Sequence, residues 1–186
     1  LSMLVAEMAL FNEGIGLDVS EKQLEIYNAH LQGKPFKGML GDAANLQFQD
    51  EYFDMIAGYS VLHHFHDYKV VLNECFRTLK HGGCLYFDFE PNAKFKRSMK
   101  YLIDIRRRLF DSSPNQLDQL ESMAEYHNNY VPGICKESLF DELAGKYRVV
   151  EIGWRYPGTM AGKVLKMLSG VSSQFAPLFY VLVQKL

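Results

Sequence analysis

Residues 41–91 read GDAANLQFQDEYFDMIAGYSVLHHFHDYKVVLNECFRTLKHGGCLYFDFEP, and this stretch decides the fold. Its spacing predicts a strand over Phe53–Ala57, a histidine-rich loop, and an amphipathic helix over Val70–Leu79 with Leu72, Cys75, Phe76 and Leu79 inward. Gly82-Gly83 is expected to close that helix, and Cys84–Phe89 to form the strand after it. Both strands are short apolar runs of the kind a parallel sheet hides on both faces. Polar residues stand where each strand finishes, and open α/β sheets bind ligands at those carboxyl ends.

The alternation continues outward. Leu1–Phe11 is nearly apolar all round and predicts a buried helix, ended by Asn12-Glu13-Gly14. Ile15–Val19 is a short strand interrupted by Asp18. Ser20 then caps a helix, with Gln23 completing a capping-box pattern, and Leu24, Tyr27 and Leu31 share one face up to Gly33. Past Pro35, Phe36–Leu40 predicts another strand, ending at Gly41-Asp42-Ala43. Strand and helix in regular alternation imply an α/β, doubly wound, parallel sheet.

Beyond Pro91 the pattern changes. Residues 94–110 predict a helix whose 94–108 stretch carries seven Lys/Arg, and Ser113-Pro114 opens a second helix running to about His127. A further helix is expected over roughly Lys136–Ala144, and strands over Tyr147–Trp154 and Phe179–Val183. Residues 157–177 hold three glycines and two prolines, with one or two helical turns over Lys163–Leu168. The organisation implied is a core over 1–91, a helical cap insert over 92–135, and the rest of the core over 136–186.

Composition bounds the function. The chain has 186 residues, 48% of them hydrophobic, enough for one domain with a full core. Net charge is −2, so no global basic field argues for nucleic acid. Charge is uneven, with 6 Lys/Arg against 13 Asp/Glu over residues 1–93 and 14 against 9 over the remainder. The basic 94–108 face lacks an aromatic platform for bases and is expected to be a solvated or anionic-substrate-facing surface. Cys75, Cys84 and Cys135 are scattered without a CxxC pair, which suits a reducing, cytoplasmic setting over a disulfide framework or zinc site. No run approaches the ~20 apolar residues of a membrane span.

Four segments taken in order, GLDVSEKQLE, GDAANLQF, YFDMIAGYSVLHHFHD and LNECFRTLKHGGCLYF, resemble the Rossmann-like S-adenosylmethionine-dependent methyltransferases of small-molecule type. The resemblance implies S-adenosylmethionine as cofactor and a mostly parallel sheet with an antiparallel last strand. It also implies cofactor contacts at Asp18, Val19, Gly41, Asp42, Ala43, Tyr59 and Ser60. In physical terms, Asp18 can accept hydrogen bonds from both ribose hydroxyls, or be a surface Asp ahead of a helix. Asp42 can accept from the adenine amine while the Ala43 N–H donates to a ring nitrogen, or the pair is an ordinary Gly-Asp turn. Tyr59 and Ser60 stand where the family touches the methionine end, and Tyr59 can face the sulfonium as a cation–π partner or simply pack.

The run His63-His64-Phe65-His66-Asp67 does not read as a metal site, because three imidazoles within four residues cannot converge without an unusual loop. His64 is expected near the methyl-transfer site, His63 packed inward, and His66 exposed. Either His64 or Glu90, at the end of its strand, is the expected general base. Tyr126, His127 and Tyr130 line the substrate mouth or staple the cap to the core.

The family's glycine-rich loop follows its first strand, and here LSMLVAE resembles the helix just beyond that loop. Gly14-x-Gly16 is no substitute, because it leads into a strand rather than out of one. In the family the missing strand is central, between the Ile15 and Phe53 strands, and without it two apolar edges stand unpaired. The expectation is that residues 1–186 belong to a longer protein. An apolar strand and an acidic-x-Gly-x-Gly-x-Gly-like loop would then precede Leu1.

Three functions follow: methyl transfer to a small molecule by in-line displacement, an inactive cofactor-binding relative, or a nicotinamide oxidoreductase, since an acid ending the second strand also suits NAD. The segment GYSVL lacks the Asn/Asp-Pro-Pro-aromatic signature of exocyclic-amine methylation. Oxygen, carbon or amine acceptors on an apolar or phenolic small molecule remain open.

Overall fold

The structure, a computed structural model, describes residues 11–98, 101, 134, 139, 145–156, 158, 160–170, 172, 173 and 176–186. Within these, strands β1 (Gly14–Asp18) and β2 (Phe36–Leu40) pair in parallel, with Asp18 beside Leu40, and helix α1 (Glu21–His30) connects them. Ser20 caps α1 from an extended backbone, its hydroxyl oxygen accepting from the Gln23 N–H at 3.4 Å. The helix ends when the Leu31 N–H reaches the Tyr27 carbonyl, and Gly33, at φ 82°, turns the chain toward β2.

A second sheet runs in the order β3-β4-β6-β5, formed by Phe53–Tyr59, Leu79–Pro91, Leu178–Lys185 and Tyr147–Arg155 respectively. Helix α2 (Tyr68–Thr78) connects β3 to β4, and α3 (Met160–Ser169) lies between β5 and β6 in the chain. β3 and β4 are parallel, while β6 is antiparallel to both β4 and β5. The last strand is antiparallel as expected, but the described sheets are mixed rather than mostly parallel, because a reversed strand inside a sheet contributes two antiparallel ladders. Among the described residues β1 and β3 each pair along one edge only.

The core sits between α2 and one face of this second sheet. Val71, Leu72, Cys75 and Phe76 of α2 meet Leu79, Leu85 and Phe87 of β4 and Phe179, Val181 and Val183 of β6, all buried. The expected inner face of α2 is present, with Val71 added. Cys75, enclosed here, has its thiol pushed up to about 12 by burial and then by the Glu74 charge, so it is inert packing.

Arg77 ties α2 to the chain that leaves β2. Its guanidinium donates to the Leu46 and Phe48 carbonyls and to Asp50, each at 2.8 Å, while Glu74 accepts from Arg77 and from the Leu46 N–H. The hydrogen bond from Arg77 is the main reason the Glu74 carboxyl sits below its ordinary pKa.

Three sequence expectations change. The Gly82-Gly83 pair does not close α2, which gives way to strand at Leu79; Gly82, at φ 76°, instead lies inside a bulged start of β4. β3 runs to Tyr59 and has no fully buried residue, because one of its edges lacks a neighbour among the described residues. The one or two turns expected over Lys163–Leu168 are part of the ten-residue helix α3. The helix expected over 94–110 is seen as helical residues 93–98, with the remainder largely outside the described residues.

Phe179 is 0% exposed at the centre of this core. Phe179→Ala is expected to lower the unfolding free energy by about 3–5 kcal/mol, read by chemical denaturation. A loss under ~1 kcal/mol would mean the β6 face does not carry the core.

Candidate active site

The strand ends bring two carboxylates together on the smaller sheet. Asp18, half-buried, uses Oδ1 to accept from the Ser20 N–H at 2.8 Å. Asp42, exposed, uses Oδ1 to accept from the Ala44 N–H at 2.8 Å. The two ends are linked by the Gly41 N–H, which donates to the Asp18 carbonyl at 3.0 Å. Each carboxylate keeps its second oxygen without a partner among the described residues, and the Ala43 N–H is likewise unused. Val19, the residue after Asp18, has 74% of its surface exposed.

On the larger sheet the ends of β3 and β4 are irregular. Ser60 and Phe89 both adopt left-handed backbone, at φ 52° and 63°, and the Ser60 N–H donates to the Asp88 carbonyl at 2.8 Å. Such strain in non-glycine residues is held only where neighbours over-determine it, and it concentrates at functional sites. Tyr59 stacks on Phe89 with ring centroids 4.9 Å apart. Between the pairs Phe87–Val181 and Glu90–Phe179, β4 advances three residues while β6 advances two. This extra residue is a bulge that turns Glu90 onto the buried side.

Glu90 is fully buried and its oxygens are occupied. Oε1 accepts from the N–H groups of Val61 and Leu62, at 2.8 and 3.0 Å; Oε2 accepts from the His63 N–H at 3.2 Å and meets His63 Nδ1 at 2.9 Å. The carboxylate therefore fastens the single-turn helix Leu62–His64 to the end of β4. His64 is exposed, its ring 4.1 Å from that of His63.

Asp88 anchors a second cluster. Arg155, at the end of β5, donates from Nε and from one terminal nitrogen to Asp88, at 2.9 Å for the shortest contact. The Tyr86 hydroxyl donates to Asp88 at 2.7 Å, and the Arg155 guanidinium lies 4.3 Å from the Tyr180 ring centre. Burial opposes ionisation of Asp88, but hydrogen bonds from Arg155, Tyr86 and the Phe89 N–H outweigh it and hold the carboxyl below its ordinary pKa.

Residues 2–87 match the family model described as a methyltransferase domain. Over 81 residues the chain is 42% identical to the demethylmenaquinone methyltransferase of Thermotoga maritima, covering 42% of this chain and 34% of that protein. It is 36% identical over 83 residues to the arsenite methyltransferase of Aquipseudomonas alcaligenes, covering 39% and 24%. A solved S-adenosylmethionine-dependent methyltransferase from Methanosarcina mazei superposes with a TM-score of 0.63 at 15% identity, over 100% of this chain and 87% of that one, which shows the fold. Residues 2–87 therefore match a methyltransferase domain, and the fold of the chain is that of the Rossmann-like S-adenosylmethionine-dependent methyltransferases. The chain spans well under two thirds of both curated relatives.

Within that family frame, Asp18, Val19, Gly41, Asp42 and Ala43 gather at one sheet's strand ends, and Tyr59, Ser60, His64 and Glu90 at the other's. Tyr126, His127 and Tyr130 lie outside the described residues. Sequence reasoning passed over Asp88, Arg155 and the pairing of His63 with Glu90, although His63 was expected to pack inward. An Asp and a Glu alternating in FDFEP was the available hint of a polar strand end, but nothing local announces the bulge, and Arg155 stands far along the chain.

Because Asp88 is held below its ordinary pKa, it contributes stability that is present above that value and is lost as pH falls through the folded one. The gap in unfolding midpoint between wild type and Asp88→Asn is expected to be constant near neutrality and to close below pH ~4. A gap that stays unchanged into acid would mean the Asp88 charge contributes nothing.

Proposed function

We propose that this protein transfers the methyl group of S-adenosylmethionine to a small-molecule acceptor at the carboxyl ends of β1–β4. The observation that carries this is the unused polar set at the neighbouring ends of β1 and β2: one free oxygen on Asp18, one on Asp42, and the free Ala43 N–H. That donor and acceptor set fits an adenosine. Asp18 would take the ribose hydroxyls, Asp42 the adenine amine and Ala43 a ring nitrogen, with exposed Val19 against the flat base. Gly41 keeps this strand end slim, since a Cβ there would come within 2.7 Å of Leu17 Cδ1.

Tyr59 and Ser60 would hold the methionine end. The Tyr59 ring is 49% exposed, and stacking on Phe89 occupies one of its faces, leaving the other for a cation. When bound, the cofactor supplies an electrophilic methyl carbon on a sulfonium and leaves as S-adenosylhomocysteine. The chain's own task is alignment and exclusion of water, with the 92–135 segment and its Tyr126, His127 and Tyr130 as the cap over the acceptor. Of the two side chains expected to accept a proton, Glu90 has its oxygens filled by protein donors, while His64 lies at the surface.

The relatives act, by name, on a demethylated menaquinone and on arsenite, two unlike acceptors, so the shared cofactor half is what carries over. Cys75 and Cys84 are free thiols, in keeping with a cytoplasmic protein. No described helix is long and apolar enough to cross a membrane.

Calorimetry on the full-length protein tests this proposal. S-adenosylhomocysteine is expected to bind and NADH not to bind. Asp18→Ala and Asp42→Ala should each weaken binding about 10–100-fold, given ~1.5–3 kcal/mol for a charged hydrogen bond. Binding of NADH without S-adenosylhomocysteine would overturn it.

A further inference from the structure

His63 and Glu90 form a unit that the methyltransferase fold does not explain. Glu90, 0% exposed on its side chain, receives three backbone N–H groups from residues 61–63 and then the His63 ring, whose side chain is 13% exposed. A carboxylate already filled by N–H donors accepts from the ring, so Nδ1 carries the hydrogen and the neutral imidazole keeps its lone pair on Nε2. Nε2 has no hydrogen-bond partner among the described residues. Among those residues the single buried side-chain polar atom without a partner is the Tyr27 hydroxyl, so Nε2 reaches accessible surface.

The position is equally specific. The His63 turn follows Ser60 at the carboxyl end of β3, beside the stacked Tyr59 and Phe89 rings and the His64 ring. A base with its tautomer fixed by a buried acid, next to flat aromatic surface, suits a planar acceptor with a weakly acidic hydroxyl. Imidazole is well matched to such groups near neutral pH. The titratable groups facing His63 among the described residues are Glu90 from β4 and His64 on its own turn.

We propose that His63 is the proton acceptor of the methyl transfer, that Glu90 is its positioning residue, and that the acceptor is a phenol-type hydroxyl compound. This rests on the methyltransferase proposal above. In the proton step the acceptor O–H bond breaks and an Nε2–H bond forms. The electron pair stays on the acceptor oxygen, which becomes the nucleophile for the methyl carbon. Glu90 balances the imidazolium until water removes its proton.

The test uses full-length protein. Nitrogen-15 NMR of the histidine rings, with His63→Gln for assignment, should find the neutral His63 protonated on Nδ1. Glu90→Gln should move that ring toward the Nε2–H tautomer. Transfer of labelled methyl to 4-nitrophenol should fall about 10²–10⁴-fold in His63→Gln, mainly in kcat. The deficit should shrink once pH exceeds the ionisation of the phenol, when no base is needed. Calorimetry with S-adenosylhomocysteine separates the two levels. Absence of binding to wild type defeats the methyltransferase proposal and this one with it. Binding together with an Nε2–H tautomer, or with a His63→Gln rate that is unchanged or depressed equally at all pH, defeats the dyad alone. Binding without transfer to the phenol defeats the acceptor class.

Discussion

The end of the larger sheet depends on one buried carboxylate. Glu90 lies inside the protein with four donors on its two oxygens, and all four belong to residues 61–63. An uncompensated carboxylate at such depth would cost several kcal/mol. The chain after β3 is therefore obliged to turn where it does, with three consecutive N–H groups aimed at one point. The same requirement explains the bulge in β4: with regular alternation after buried Phe87, residue 89 would face the core and Glu90 the opposite side.

That solution carries strain, and the strain is held locally. Ser60 and Phe89 each sit in left-handed backbone, costing of the order of 1–3 kcal/mol apiece. Asp88 secures both, since its carbonyl accepts from the Ser60 N–H and its carboxylate from the Phe89 N–H. Arg155 and Tyr86 in turn hold Asp88 charged and oriented. Carboxylates at the strand ends thus fall into two kinds. Asp88 and Glu90 are filled by protein donors and fix the backbone. Asp18 and Asp42 each use one oxygen on their own loop and present the other. A ligand with hydroxyl and amine donors is met by the second kind, on a scaffold the first kind keeps in place.

How far these features were legible from sequence depends on the range over which each is determined. β1, α1 and β2 follow from local signals, such as the Ser20 cap and apolar runs bounded by Gly33 and Gly41, and they lie within a residue or two of expectation. The inner face of α2 was legible from helical spacing alone. The Gly82-Gly83 pair misled, because glycines after an amphipathic run signal a helix end, whereas here they loosen the first residues of a long strand. Glu90 stood out as a polar strand tip, but its direction is set by a bulge that pairing with β6 creates, and pairing is non-local. Arg155 could not be placed beside Asp88 without knowing that β6 inserts between β4 and β5.

The contrast between His63 and His64 carries this one step further. Two identical residues stand side by side in the sequence, and although His63 was expected to pack inward, nothing in their order names the group it packs against. One has its Nδ1 on a buried carboxylate and a side chain largely enclosed; the other is exposed. The difference comes from β4, because only a glutamate turned inward by the bulge can reach the first ring and the three N–H groups before it. A regular β4 would present Phe89 to the turn and leave both imidazoles equivalent surface groups. The chemical individuality of His63 is thus a consequence of one extra residue in a strand some 27 positions away.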